Sequence, residues 1–427
     1  MIRRVIVAGG GTGGHLFPGI AVVEELRRRQ PDAEVTFVGT AKGIEARVLP
    51  ERGERLELID VAPLKGRSAA ELMRSLMMLP GACSQAFGII GAEKPDLVIG
   101  VGGYASGPML LAAAARGVPT AILEQNAHVG LTNRVLAPIA GRAYVAWEEA
   151  ADQIGRRRAK LLGNPVRRAF VDAARAAMAD PAGFEARSRR ILVLGGSQGA
   201  KVLNDTVPAA LAELDLAGRG IEVLHQTGAA MQAEVEARYR ALGVPAEIVS
   251  FVDDMAKAYA SASLVIARAG ATTLAELCAI GRPAVLVPYP FAADDHQAKN
   301  AEALERAGAA VSIRESALTV DKLSAEVRAL LDAPERRARM AEAARAHGRP
   351  DAAAAIVDDL LAWLGGPSAS VATPRTSSST GDGGGARFAS VDFRAGRAIS
   401  TIPPRRSTLP PPPVHLEVLP AVRAMVD

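Results

Sequence analysis

Twice along this chain a short apolar run feeds a glycine-rich turn and then a helix start. Residues 5–8 lead into "AGGGTGGHLFPG" at 8–19, and "ILVLGGSQGA" repeats the scheme at 191–200. A buried strand ending in such a turn aims backbone N–H groups and a helix N-terminus at one point, which suits a phosphate or diphosphate. Five glycines within residues 9–14 are more than close packing of a turn needs. Pro18 is at home in a first helical turn, and 20–29 reads as an amphipathic helix.

Downstream of each turn, short apolar runs alternate with longer helical ones. Residues 35–38, 97–99, 120–123 and 143–145 read as strands in the first half, and 222–224, 247–251, 263–267 and 284–287 in the second. Such alternation predicts an α/β fold, with parallel sheets covered by helices on both faces. The stretch 163–190 reads as an interdomain connection followed by a helix, and a helix at 352–364 closes the folded part. A chain of 427 residues accommodates two doubly wound domains, 1–163 and 164–347. Their ligand crevices are expected at the carboxyl ends of the strands, facing each other across a cleft.

Composition excludes several alternatives. Cys83 and Cys278 are the only cysteines and have no metal-like spacing, which fits a reducing compartment without a disulfide framework. No apolar run reads as a signal peptide or a spanning helix. The net charge is only +4, and the clusters at 27–29 and 156–158 read as solvated helix ends, with no nucleic-acid-binding signature beside them. From 366 to 427 the chain turns to Ser, Gly and Pro tracts such as "IPPRRSTLPPPP", and a disordered tail is expected.

Gly9, Gly11 and Gly14 formally match the dinucleotide fingerprint, but that signature wants an acidic residue at the end of the second strand. Here that strand ends Val38-Gly39-Thr40, which argues against a nicotinamide enzyme. More specific is "ARAGATTLAELCAIGRPAVLVPYP" at 267–290. Free N–H groups and the hydroxyls of Thr272 and Thr273 would hold a diphosphate at a helix start, and Glu276 could accept from two vicinal ribose hydroxyls. Acidic residues also favour first helical turns, so Glu276 alone decides nothing. Polar residues gather after the apolar runs: Tyr104, Ser106, Glu124, Gln125, Asn126, Asn133, Ser197, Gln198 and 294–297. Their shared placement points to a common cleft. No Asp-x-Asp motif or His/Cys cluster suggests a metal, and no cofactor is expected. A departing nucleoside diphosphate would be stabilised by helix dipoles and hydrogen bonds.

Seven segments, taken in order, carry a resemblance: "GGGTGGHLFPGIAV", "GVGGYASGP", "LEQNAHVGLTNR", "GNPVR", "LGGSQGAKVLN", "FVDDMAKAYASASLVIARAGATTLAE" and "DDHQAKNAEAL". Together they resemble the MurG-type transferases of bacterial peptidoglycan synthesis, in glycosyltransferase family 28, as far as about residue 364. The resemblance implies the GT-B fold, two Rossmann-like domains with the helix at about 348–364 returning to the first. It implies an inverting hexosyltransferase that moves N-acetylglucosamine from UDP-N-acetylglucosamine onto the muramyl sugar of lipid I, making lipid II.

Carried over by motif, Thr12, Gly13 and Gly14 face the diphosphate and acceptor, with Tyr104 in the same cleft. Asn126, Arg167, Ser197 and the helix start Ala271, Thr272, Thr273, Leu274, Ala275 and Glu276 hold the donor. Val252 offers its backbone to uracil, Glu276 takes the ribose and Gln297 the sugar. His15 is the expected general base, with Glu124 as its rival; His15 could instead bind the acceptor's diphosphate as a cation. The implied setting is peripheral, on the cytoplasmic face of the bacterial membrane, with an anionic lipid surface and other wall-synthesis or division proteins as partners. Residues 64–90 fit such docking, combining Lys65, Arg67 and Arg74 with Leu72, Met73, Leu76, Met77 and Leu79; an ordinary core helix is the competing reading. A diacylglycerol glycosyltransferase, a UDP-sugar epimerase and a non-catalytic scaffold stay open as alternatives, and His15 with Glu276 speaks against the last. The tail from about 366 has no counterpart in the family pattern.

Overall fold

The structure, a computed structural model, describes residues 2–61, 69–196, 199–292 and 295–365; Ser197 and the tail from 366 lie outside them. The described residues belong to one compact unit. The first sheet contains β1 (Arg4–Ala8), β2 (Glu34–Gly39), β3 (Arg55–Leu58), β4 (Leu97–Gly100), β5 (Thr120–Glu124), β6 (Arg142–Val145) and β7 (Ala159–Leu161). Their order is β3-β2-β1-β4-β5-β6-β7, and every pairing is parallel. The second contains β8 (Arg190–Leu194), β9 (Glu222–Gln226), β10 (Ala246–Val249), β11 (Ala262–Ala267), β12 (Ala284–Leu286) and β13 (Ala310–Ser312). It runs β10-β9-β8-β11-β12-β13, also parallel throughout.

In each sheet the strand order reverses beside the opening strand, between β1 and β4 and between β8 and β11. That reversal splays the connections apart and leaves a crevice at the carboxyl end. Both glycine turns therefore leave their strands beside a crevice. Central strands are apolar throughout because helices cover both faces: every residue of β11 is buried, and in β1 only Arg4 is exposed.

The expected strands are all present, with shifted ends. The strand anticipated at 247–251 is β10, which stops at Val249 and leaves Phe251 exposed. β3, β7 and β13 were not anticipated. They are three or four residues long, lie at or next to a sheet edge and are partly exposed, so no continuous apolar run announces them. The 163–190 connection holds two helices, Arg168–Ala179 and Pro181–Ala186.

The halves share apolar packing: Val145, Trp147, Val166 and Phe170 belong to the same buried cluster as Leu192, Tyr259 and Leu277. The last helix, Ala352–Gly365, buries Ile356, Val357 and Leu360 among Val5, Ile20 and Tyr144 of the first half. A polar clamp fixes it there. Asp359 accepts from Tyr144 Oη (2.8 Å) and Arg142 Nε (3.2 Å) and pairs with Lys160. Arg142 in turn covers the Trp363 ring at 4.7 Å. Burial alone would raise the Asp359 carboxyl, but hydrogen bonds from Lys160 and Tyr144, with the Arg142 charge, hold it below the usual carboxylate range.

Asp359→Asn should destabilise the protein by about 1.5–3 kcal/mol, the scale of hydrogen bonds to a charged group. The sign with pH follows from the depressed carboxyl. The stabilisation is complete above the ordinary aspartate value of 3.8 and is lost as pH falls through the lower folded value. Urea titrations across that acid range should show the loss in the wild type and its absence in the variant.

Candidate active site

The β1 turn packs directly on the β4 loop: a Cβ on Gly9 would lie 2.1 Å from the Gly102 carbonyl oxygen. Thr12 is extended and caps the helix Gly13–Arg29 without a side-chain bond to the helix backbone. That helix has no acidic residue in its first turn and three arginines in its last. Its N-terminal N–H groups and positive dipole end are thus left to an anion. Arg27, Arg28 and Arg29 pair with Glu54, Glu25 and Asp358, consistent with helix-end charges.

His15 stands in this first turn, its Nδ1 in hydrogen-bond contact with the Thr12 hydroxyl at 3.2 Å. Its ring fills the space beside Gly102, where a Cβ would come within 2.8 Å of Cδ2. Burial lowers its pKa below the usual 6.5, against opposing effects of the Glu124 charge, the Gly10 backbone and the Glu45 charge; His296 adds to the lowering. A lowered pKa favours the neutral imidazole, the form that can accept a proton.

Glu124, the last residue of β5, is only 3% exposed. Its Oε1 accepts from Asn126 N (3.0 Å) and Asn126 Nδ2 (3.3 Å), and its Oε2 from Gly130 N and Asn133 Nδ2, both at 3.0 Å. Four donors fill its acceptor positions. Tyr104, exposed at the rim, lines the same pocket as Thr12, His15, Glu124 and Asn126.

The second half supplies a matching helix start. Gly270 is the extended cap of the helix Ala271–Ile280, again without a side-chain cap. Thr272 Oγ1 donates to the Gly14 carbonyl at 3.3 Å, so the two uncapped helix starts meet. Ala271 is buried, which leaves only its backbone to a ligand, and buried Leu274 donates its N–H to the Gly270 carbonyl at 3.0 Å. Glu276 lies in the second helical turn, so first-turn preference does not account for it. Buried at 6% exposure, it pairs with Arg167 Nη2 at 2.8 Å. Arg167 is held against Phe17 and Phe170, 5.0 and 5.1 Å from their ring centres. Burial raises the Glu276 carboxyl, opposed by Arg167.

Val252 lies between β10 and the helix Met255–Ser261, buried beside exposed Phe251. Gln297 Oε1 accepts from Ala269 N (3.2 Å) and Tyr289 N (3.0 Å), tying together the segments that follow β11 and β12. Two residues without an assigned role also matter. Asn300 accepts from Ala127 N at 3.1 Å and donates to Asn126 Oδ1 at 3.3 Å, joining the halves. His296 enters the His15 pocket from the opposite half. Both stand in "DDHQAKN", four residues apart on one helical face, which is the only signal that could have paired them. Among the described residues, no group of three or more His, Cys, Asp or Glu could hold a metal.

Comparison with known proteins fixes the family. The family models for the glycosyltransferase family 28 N-terminal and C-terminal domains match residues 5–145 and 190–356. The UDP-N-acetylglucosamine–N-acetylmuramyl-(pentapeptide) pyrophosphoryl-undecaprenol N-acetylglucosamine transferase of Anaeromyxobacter sp. (strain K) is 49% identical, over 83% of this chain and 91% of its own. This chain belongs to the MurG-type transferases of family 28. The crystal structure of Acinetobacter baumannii MurG superposes with a TM-score of 0.66 at 32% identity, covering 84% of this chain and all but 1% of that one (99%). The UDP-GlcNAc 2-epimerase of Neisseria meningitidis, at 13% identity and a TM-score of 0.59 over 84% of this chain and 100% of its own, shares the fold alone. The transferase thus has the GT-B architecture, and its two helix starts face each other across the junction of its halves.

Proposed function

We propose that the transferase moves N-acetylglucosamine from UDP-N-acetylglucosamine to a muramyl hydroxyl of lipid I, with inversion, forming lipid II. The observation that carries this reading is the meeting of two uncapped helix starts, one from each half, beside the His15 imidazole. One start suits the diphosphate of a nucleotide sugar and the other that of a lipid-linked acceptor. Thr12, Gly13 and Gly14 receive the acceptor's diphosphate. The Ala271–Ile280 helix start, with Ser197, Arg167 and Asn126, receives the donor's. Glu276 takes the ribose, the Val252 backbone the uracil, and Gln297 the sugar. With its oxygen on two backbone N–H groups, Gln297 would present its amide nitrogen.

In the transfer, His15 removes the proton of the attacking hydroxyl as its oxygen bonds to the anomeric carbon. The bond from that carbon to the phosphate oxygen breaks, and UDP leaves with the electron pair. Glu124 is the less accessible base because its acceptor positions are filled, and its charge instead favours the imidazolium that His15 becomes. A panel of acceptors tests this. Labelled UDP-N-acetylglucosamine should give product with a lipid I analogue and none with diacylglycerol. Conversion to an epimerised nucleotide sugar without acceptor would overturn the assignment.

The acceptor's lipid calls for a membrane-facing surface. Among the described residues no helix is long and apolar enough to cross a membrane. The helices Ala69–Glu93, Ser106–Ala115 and Leu131–Leu136 pack in sequence and expose Met73, Met77, Leu111, Leu131 and Val135, with Arg116 and Arg134 also exposed. We assign this face to anionic lipid on the cytoplasmic leaflet. Lys65, Arg67 and the side chains of Leu72, Arg74 and Leu76 lie outside the described residues, and Leu79 is half-buried. Met73 and Met77, 59% and 69% exposed, are therefore the better probes. Replacing both with Ser should weaken binding to phosphatidylglycerol vesicles by about tenfold or more, the scale of lost apolar burial, with UDP affinity and melting temperature unchanged.

A further inference from the structure

One buried carboxylate has no role in the transfer above beyond the charge it adds near His15. Glu45 opens the helix Glu45–Glu51 and is 1% exposed. Its Oε2 accepts from Gly11 N at 2.7 Å, and its Oε1 from Thr40 N (2.9 Å) and Thr40 Oγ1 (3.1 Å). Among the described residues no lysine or arginine forms an ion pair with it. Glycines surround it: a Cβ on Gly10, Gly39 or Gly43 would lie 2.5, 2.4 or 2.1 Å from its atoms. Gly10 also has a φ of +139°, open to glycine alone. Side chains at three positions are thus missing where this one carboxylate sits.

In a dinucleotide-binding turn the glycine backbone meets the pyrophosphate directly. Here a protein carboxylate already holds the Gly11 N–H. A phosphate placed over Gly10 and Gly11 would meet the like charge of Glu45, a carboxylate that is itself shut away from water and so poorly screened. The N–H groups of Thr12, Gly13 and Gly14 lie at the helix start beyond this charge.

We propose that Glu45 is an internal anion that closes the first half of the glycine turn to phosphate and directs an incoming diphosphate to the helix start beside His15. It is a positioning residue, acting through the turn. The inference rests on the proposed function only in taking that diphosphate to be the acceptor's. It accounts for a turn that matches the dinucleotide fingerprint while its second strand lacks the ribose-binding acid. Both features remove the nucleotide mode from this half of the molecule.

The test uses the full chain, labelled with ¹⁵N-glycine and saturated with UDP to fill the donor site, then titrated with inorganic pyrophosphate. The amide signals of Gly13 and Gly14 should move together to saturation while that of Gly11 stays in place. Movement of Gly11 with the same midpoint, or no movement of Gly13 and Gly14, overturns the proposal. Because nothing turns over, this result stands apart from whether lipid I is the acceptor. Glu45→Gln adds a kinetic arm, since it removes the charge and sets an amide donor against backbone donors. Pyrophosphate inhibition against the acceptor should tighten by about tenfold or more as like-charge repulsion is lost. The acceptor kcat should fall while donor KM stays within about twofold. Glu45→Asp, which keeps the charge, should leave pyrophosphate inhibition as in the wild type. Unchanged inhibition in Glu45→Gln, or an equal gain in Glu45→Asp, contradicts the role. Should Glu45→Gln fail to fold, the wild-type titration decides alone.

Discussion

Replacing His15 with alanine should lower kcat by roughly 10²–10⁴, the usual contribution of a positioned general base. The acceptor KM should change little. The pH profile separates this role from a phosphate contact. Burial depresses the imidazole below its ordinary 6.5, so the acid limb of wild-type kcat should lie below that value. His15→Ala should retain a slow rate without that limb. A kcat within a few-fold of wild type with a climbing acceptor KM would instead make His15 an anion contact. The base role would then need another group, and Glu124, with its four hydrogen bonds, would have to release donors to take it.

Replacing Glu276 with alanine should raise the donor KM about ten- to a hundredfold, from loss of roughly 1.5–3 kcal/mol of charge-assisted bonding, with kcat nearly kept. The structure adds a complication that the experiment can use. Glu276 already holds Arg167 at 2.8 Å, so the variant also leaves a stacked guanidinium without its anion. A UDP-sugar lacking one ribose hydroxyl isolates the ribose contact. It should bind the wild type more weakly than the natural donor does, and the variant equally well. Equal discrimination in both proteins would remove Glu276 from the ribose site. Because burial raises this carboxyl, wild-type donor affinity should weaken on acidification at a higher pH than an ordinary glutamate would give.

How much of this was legible in the sequence depended on how continuous each signal was. β1 and β11 were readable because strands covered on both faces leave uninterrupted apolar runs. β3, reading Arg-Leu-Glu-Leu near a sheet edge, carries charges that mask it. The first glycine turn was readable as a strand-to-helix turn, because a bare run between an apolar strand and a helical pattern has few other forms. The contents of the first turn were not. Glu45 reaches Gly11 across 34 residues, and nothing local marks a glutamate as the filling of a glycine cage. Glu124 could be named but not assigned, since its donors come from Gly130 and Asn133 after an intervening turn. Asn300 bonds Ala127 across 173 residues, a contact set by how the halves meet. On the proposed membrane face, Met73 and Met77 are one helical turn apart and both exposed, whereas Leu79 falls off that stripe and is half-buried.

In the proposed reaction one hydroxyl of lipid I displaces UDP from the anomeric carbon in a single inverting step at the meeting of two helix starts. The most direct measurement is the anomeric configuration of the new linkage, taken by NMR on product made with UDP-N-acetylglucosamine and a soluble lipid I analogue, with released UDP counted alongside. A β-linked disaccharide from the α-linked donor, with one UDP for each linkage formed, is the expected result. An α-linkage, or UDP released without matching disaccharide, would contradict it.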